Sequence, residues 1–245
     1  MKSSNAGLSV RSIGLLRQIM QVRGRLRDAD SLGLERFAVL GASAGGPYAL
    51  ACAAQLPDRV AGVGLVAATA PVDAPGVRAG MEAGTLTFWG LARTAPWALE
   101  TFFRVIMAGS NKSDAWVDTI AGVLPEPDRG LFRDPDFRAG FAAMFKEAFR
   151  QGPRGPVHDI ACIGGPWRVD PAAIQAPVLL WQGERDSLLA AGRHLAGVLP
   201  NCQATFYPDE GHLSLPRNHH RDILSALAAT VAQAPVGARA PRALT

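Results

Sequence analysis

The chain has 245 residues, of which 48% are hydrophobic and 19% charged, with a net charge of +4 and a pI near 9.3. That balance builds one sizeable core, with or without a large insertion, and excludes wholesale disorder. The basic excess is scattered arginine with a mild concentration between Arg11 and Arg27 and no long run of like charge, so nucleic-acid binding is not expected. The cysteines, Cys52, Cys162 and Cys202, are odd in number and widely spaced. They read as structural residues of a reducing cytoplasm, not as a disulfide framework or a zinc site. The longest nearly apolar run, Val60 to Val72, is too short to span a bilayer, and the first residues do not read as a signal peptide.

In chain order, Ser12 to Ser31 reads as a basic amphipathic helix, with Ile13, Leu16, Ile19, Met20 and Leu26 at roughly helical spacing. A helix covering a sheet is favoured over one lying on a membrane. Leu32-Gly33-Leu34 breaks it, and Arg36 to Leu40 is a short apolar run of the kind that forms a buried parallel strand. A helix follows from Pro47 to Leu56, then a second buried strand from Val60 to Ala68. From Ala70 to Asp170 the pattern changes to helices separated by loops such as Pro125-Glu126-Pro127-Asp128. Aromatic residues, among them Trp89, Phe103, Trp116 and Phe145, give this stretch its own core and could also line an apolar pocket. It reads as a helical insertion of about a hundred residues without strands. The sheet resumes at Pro177 to Trp181. A helix over Ala190–Leu199, a strand over Ala204–Tyr207 and a final helix over Pro216–Ala232 complete the pattern. Strands alternating with helices predict an α/β fold with a mainly parallel sheet. The expected organisation is a core from 1–70 and 171–233, an inserted helical cap over 71–170 and a frayed tail over 234–245.

Gly41-Ala42-Ser43-Ala44-Gly45 fits the pattern G-x-S-x-G between a strand and a helix. In that setting the serine sits on a strained turn, and Gly41 and Gly45 are expected to let helix and strand approach closely. The helix start points free N–H groups at any oxyanion formed beside Ser43. A serine hydroxyl needs a base, and the base needs an orienting acid. Asp186, in Gln182-Gly183-Glu184-Arg185-Asp186, and His212, in Asp209-Glu210-Gly211-His212, each follow a predicted strand, where open α/β sheets carry their chemistry. The expected roles are Ser43 as nucleophile, His212 as general base and acid, and Asp186 as the group that orients it. Among the rivals, His219 and His220 read as a solvated helix face, His194 as a surface residue and His158, beside Asp159, as a pocket candidate. Glu184 is the nearest alternative acid, while Asp209 and Glu210 read as loop charges.

The segments Gly41 to Leu50, Leu56 to Val60, Gly183 to Asp186 and Gly211-His212 resemble the α/β-hydrolase superfamily, closest to bacterial esterase-like members with a helical cap. The resemblance covers Leu32 to the last helix, loosely in the cap. It implies a mainly parallel sheet and cofactor-free, metal-free acyl transfer from a small-molecule acyl substrate. Ser43, Asp186 and His212 match the family's triad, and Ala44 matches the residue whose backbone N–H is one oxyanion donor. In the family, four strands precede the strand that carries the serine, and a His-Gly motif after the third supplies a second oxyanion donor. Here about thirty-five residues precede that strand, where four strands need roughly sixty or more. The expectation is therefore an N-terminally truncated hydrolase whose serine strand is an exposed apolar edge, favouring homo-oligomeric pairing. Loss of one oxyanion donor costs on the order of 10²–10³ in rate. The readings weighed are a serine hydrolase cleaving a carboxylic ester or related acyl substrate, an impaired hydrolase-fold protein without activity of its own, and a cofactor-free haloperoxidase-like perhydrolase.

Overall fold

The computed structural model describes residue 24, residues 26–110 and residues 115–233. Most of the basic helix expected over Ser12–Ser31 and the whole tail from 234 lie outside the described residues. Residues 26–31 are helical, and Gly33, at φ 66°, provides the left-handed turn that ends the helix before the first strand.

Among the described residues four strands form one parallel sheet in chain order: β1 (Phe37–Ala42), β2 (Val60–Val66), β3 (Val178–Gly183) and β4 (Cys202–Tyr207). The registers Ala42↔Val66, Val66↔Trp181 and Gly183↔Tyr207 carry the C-terminal strand ends along one edge of the sheet. Helix α1 (Gly46–Gln55) crosses from β1 to β2. Among the described residues six helices then lie between β2 and β3: α2 (Ala83–Thr94), α3 (Pro96–Ser110), α4 (Ala115–Gly122), α5 (Glu126–Leu131), α6 (Pro135–Ala148) and α7 (Arg154–Ile163). α8 (Leu189–Val198) joins β3 to β4, and α9 (Ser214–Gln233) closes the described chain. Among the described residues, the strands and helices expected after Leu34 are present with ends moved by a few residues. Among the strands, β3 runs on to Gly183 and β4 starts at Cys202, each two residues longer at that end than expected. Ladder hydrogen bonds to a neighbouring strand carry both past the point where apolar character fades.

Alternation along β2 divides the core between the two faces of the sheet. Val63 and Leu65 join Leu50, Leu180 and Leu195 on the face covered by α1 and α8, while Val66, Trp181, Leu215 and Ile223 pack on the other face under α9. Gly62 and Gly64 also point toward α9. A Cβ on Gly62 would run into Thr230, and one on Gly64 would lie 2.6 Å from Leu40 and 3.1 Å from Leu227. The glycines of β2 are therefore the reason α9 can lie close on the sheet. The insertion has two clusters of its own, one around Leu99, Phe103, Phe149 and Val157 and one around Trp116, Val117, Phe132 and Ala142. Phe145 reaches both, with ring centroids 4.6 Å from Trp116 and 4.6 Å from Phe149.

Among the described residues β1 has β2 as its strand neighbour and its other edge unpaired, and Leu40 is 45% exposed. None of the described helices is long and apolar enough to cross a membrane. Because the α9 packing depends on the bare α-carbon of Gly62, Gly62→Ala is expected to destabilise the fold by about 1–3 kcal/mol. The measurement is a urea unfolding midpoint that falls without a change in slope.

Candidate active site

β1 ends at Ala42 and α1 begins at Gly46, so Ser43 must turn the chain within a single 3-10 turn, Ser43–Gly45. It does so with φ 51°, a left-handed conformation that serine adopts only under constraint. The constraint is steric. A Cβ on Gly41 would lie 2.5 Å from the carbonyl oxygen of Gly45 and 2.9 Å from Ala49, and a Cβ on Gly46 would lie 2.7 Å from Ala68. This corrects one expectation. The tight approach belongs to Gly41 and Gly46, whereas a Cβ at Gly45 would meet open space. The end of β2 buttresses the turn. Ala67 also sits at positive φ, 48°, and the Thr69 N–H donates to the Ser43 carbonyl at 3.2 Å. The Thr69 side-chain oxygen is buried without a hydrogen-bond partner.

The structure brings Ser43, His212 and Asp186 into one hydrogen-bonded line. His212 Nε2 lies 2.9 Å from Ser43 Oγ, and His212 Nδ1 lies 3.0 Å from Asp186 Oδ2. With a carboxylate on Nδ1, that nitrogen carries the proton and donates it, which leaves Nε2 as acceptor for the Ser43 hydroxyl. Asp186 is 5% exposed and its other contacts hold it still. Oδ2 also accepts from Gln182 Nε2 at 2.8 Å, and Oδ1 accepts from the Leu188 N–H at 2.9 Å. Burial pushes the His212 imidazole down. The hydrogen bond and charge of Asp186, together with the charge of Asp128, outweigh that burial and raise it above the ordinary histidine value.

The rivals stand elsewhere. Glu184 faces Arg193 at 3.7 Å. His158 contacts Cys162 Sγ at 3.5 Å, and the residues of its helix that line the cavity beside Ser43 are Ile160 and Ile163. His194 is half-buried on α8, and Asp209 is exposed. His220 is exposed, with Nδ1 at 3.1 Å from the Arg217 carbonyl. His219 is not on a solvated face. It packs at a tilt against Tyr207 with ring centroids 4.2 Å apart, and its Nε2 lies 2.9 Å from Glu210 Oε1. Glu210 is accordingly more than a loop charge. Burial raises its carboxyl, but hydrogen bonds from Ser214, Asn218 and His219 lower it further, and the net direction is down.

A cavity of about 230 Å³ opens beside Ser43. It is lined by Ser43, the exposed Ala44 and Thr69, by Thr85, Trp89, Ile160 and Ile163 from the helices between β2 and β3, and by Ser187 and Leu188 after β3. Its lining is mostly apolar with a few hydroxyls, as in sites for small organic ligands. Among the described residues no cluster of three or more histidine, cysteine or acidic side chains could hold a metal ion.

Two residues at this site have contacts that the sequence does not signal. Gln182 reads only as the start of the loop after the third strand; in the structure it ends that strand and its amide donates to Asp186. Asp128 lay in a stretch that reads only as a proline-rich loop. In the structure it is completely buried, and its carboxylate accepts from the backbone N–H groups of His212 at 2.8 Å and of Leu213 and Ser214 at 2.9 Å each.

Comparison with known proteins agrees with this architecture. No curated protein sequence matches the chain. Among solved structures it is similar to a bromoperoxidase from Bacillus anthracis, with a TM-score of 0.60 at 17% identity over 86% of this chain and 73% of that one. It is also similar to the enol-lactonase from Burkholderia xenovorans LB400, at 0.58 and 21% over 88% and 73%, and to an esterase from Rhodococcus sp., at 0.55 and 18% over 83% and 68%. Residues 21–218 match the family described as the alpha/beta hydrolase fold, and with the parallel sheet and the strand–turn–helix at Ser43 this makes the chain a member of the α/β-hydrolase family.

Proposed function

We propose that this protein is a serine hydrolase that cleaves a carboxylic ester or a related acyl bond of a small molecule through an acyl-enzyme. Family membership supports a hydrolase-type enzyme. The observation that carries the finer reading is the 2.9 Å and 3.0 Å line from Ser43 through His212 to Asp186, opening on the mostly apolar cavity. Ser43 Oγ attacks the acyl carbon as its proton passes to His212 Nε2, and Asp186 stabilises the resulting imidazolium. The tetrahedral oxyanion is met by the Ala44 N–H and the positive end of α1. His212 returns the proton to the departing alkoxide, leaving Ser43 acylated. Water then attacks the acyl carbon, losing its proton to His212, and the carboxylic acid leaves as Ser43 recovers its hydrogen. The residues of the insertion form the cap of this reading, with Trp89, Ile160 and Ile163 facing the acyl or alcohol portion. In the same reading the enzyme works in a reducing cytoplasm, and the unpaired edge of β1 is its self-association surface, which sedimentation velocity tests as a concentration-dependent dimer.

A fluorophosphonate probe tests the nucleophile. Wild type is expected to be labelled at Ser43, and Ser43→Ala to remain unlabelled while folding normally. Absence of Ser43-dependent labelling in folded protein would leave a hydrolase-fold protein without activity of its own. Perhydrolysis runs through the same acyl-enzyme, and dependence of turnover on added peroxide separates it from simple hydrolysis. Asp186→Asn is expected to slow labelling by about 10³–10⁴-fold with the fold intact, because an amide donating to Nδ1 imposes the wrong imidazole tautomer.

His212 works as a base only when neutral, and its surroundings raise it above the ordinary histidine value. The labelling rate is therefore expected to fall as pH drops through a single titration whose midpoint lies above about 6.5. A midpoint below that value counts against the assignment of His212.

A further inference from the structure

We propose that Asp128 is a positioning residue for His212: a buried carboxylate, supplied by the helical insertion, that grips the backbone of residues 212–214 and holds the imidazole between Ser43 and Asp186. The inference rests on reading His212 as the general base.

Residues 211–213 form the loop that leads into α9 at Ser214. The backbone N–H groups of such a loop, like those of a helix's first residues, find no partner within the helix, and burying them unpaired is expensive. Here the Gly211 N–H donates to Ser214 Oγ at 2.8 Å, and the next three N–H groups, of residues 212, 213 and 214, donate to Asp128. The acceptor comes from 84 to 86 residues earlier in the chain, on α5, where a neighbouring side chain would ordinarily serve. Asp128 is fully buried, so its charge is tolerated only because these donors and the helix dipole meet it. Two further contacts tie the same loop to the insertion. Leu213 packs against the cluster around Trp116 and Phe132, and Arg217 faces Asp134 at 3.7 Å. The backbone atoms that carry the His212 side chain are thus fixed by the insertion, while the core supplies Ser43 and Asp186.

The charge also acts on the imidazole, since Asp128 joins Asp186 in favouring its protonated form. Of the other ionisable groups around the loop, Glu210 meets Asn218 and His219, Arg217 faces Asp134, and Asp209 is exposed. Asp128→Asn therefore changes two things. One carboxylate oxygen becomes an N–H₂ group that cannot accept from the backbone, and the negative charge disappears.

The experiment compares wild type and Asp128→Asn by the rate of fluorophosphonate labelling and by NMR titration of the His212 ring. Folding is checked by circular dichroism. We expect labelling to slow by about tenfold to a hundredfold and the His212 titration to move to lower pH. A folded variant with unchanged rate and titration overturns the proposal. So does a slowed variant whose His212 titration has not moved, because that result reduces Asp128 to a helix cap. Should the variant fail to fold, amide hydrogen exchange of residues 212–214 in wild type decides instead: strong protection supports the grip, and exchange at the rate of an open loop overturns it. The NMR and exchange readouts need no turnover. An unlabelled wild type would therefore sink the serine-hydrolase reading while leaving the grip of Asp128 on the loop open to measurement.

Discussion

Everything at the candidate site depends on the parallel direction of the four strands. A parallel strand can follow another only if the chain crosses back over the sheet, so every strand ends at the same edge. Ser43 follows β1, Asp186 follows β3 and His212 follows β4, and residues 169 apart in sequence meet at hydrogen-bond distance. The edge is crowded as well as shared. The Gly41–Gly45 approach and the contact of Gly46 with Ala68 force the turn at Ser43 into a left-handed backbone, which aims its hydroxyl out of the sheet.

The helical insertion contributes on two scales. At short range, Trp89, Ile160 and Ile163 wall the cavity beside Ser43. At longer range it reaches the loop that carries His212 through Asp128, Leu213 and the Asp134–Arg217 pair. A candidate base held this way depends on the sheet and on the helices between β2 and β3 at once. The sheet sets where its loop begins, and the insertion sets the path the backbone then takes.

The strands and helices were legible in the sequence because parallel strands are nearly continuous apolar runs and their crossover helices have a clear period. The serine turn was legible because only small residues tolerate its crowding. Asp186 and His212 were legible from their places after predicted strands, and the structure places them within reach of each other. Strand ends were less sharp, because the ladder bonds that extend β3 to Gly183 come from a partner strand and leave no mark on β3 itself. The exposed edge expected at β1 appears as an unpaired strand side and a half-exposed Leu40 among the described residues.

What the sequence by itself determined is the order of elements, the turn at Ser43 and the candidate partners that follow later strands. These depend on local period, residue size and chain order. Only the tertiary structure decided which glycine is squeezed at the turn, that His219 binds Glu210 instead of facing solvent, that the Gln182 amide meets Asp186, and that the Asp128 carboxylate meets the backbone of residues 212–214. The physical reason is common to all four. Each is a contact between residues brought together by packing, and a buried carboxylate such as Asp128 reads as an ordinary loop charge until the donors that satisfy it are in place.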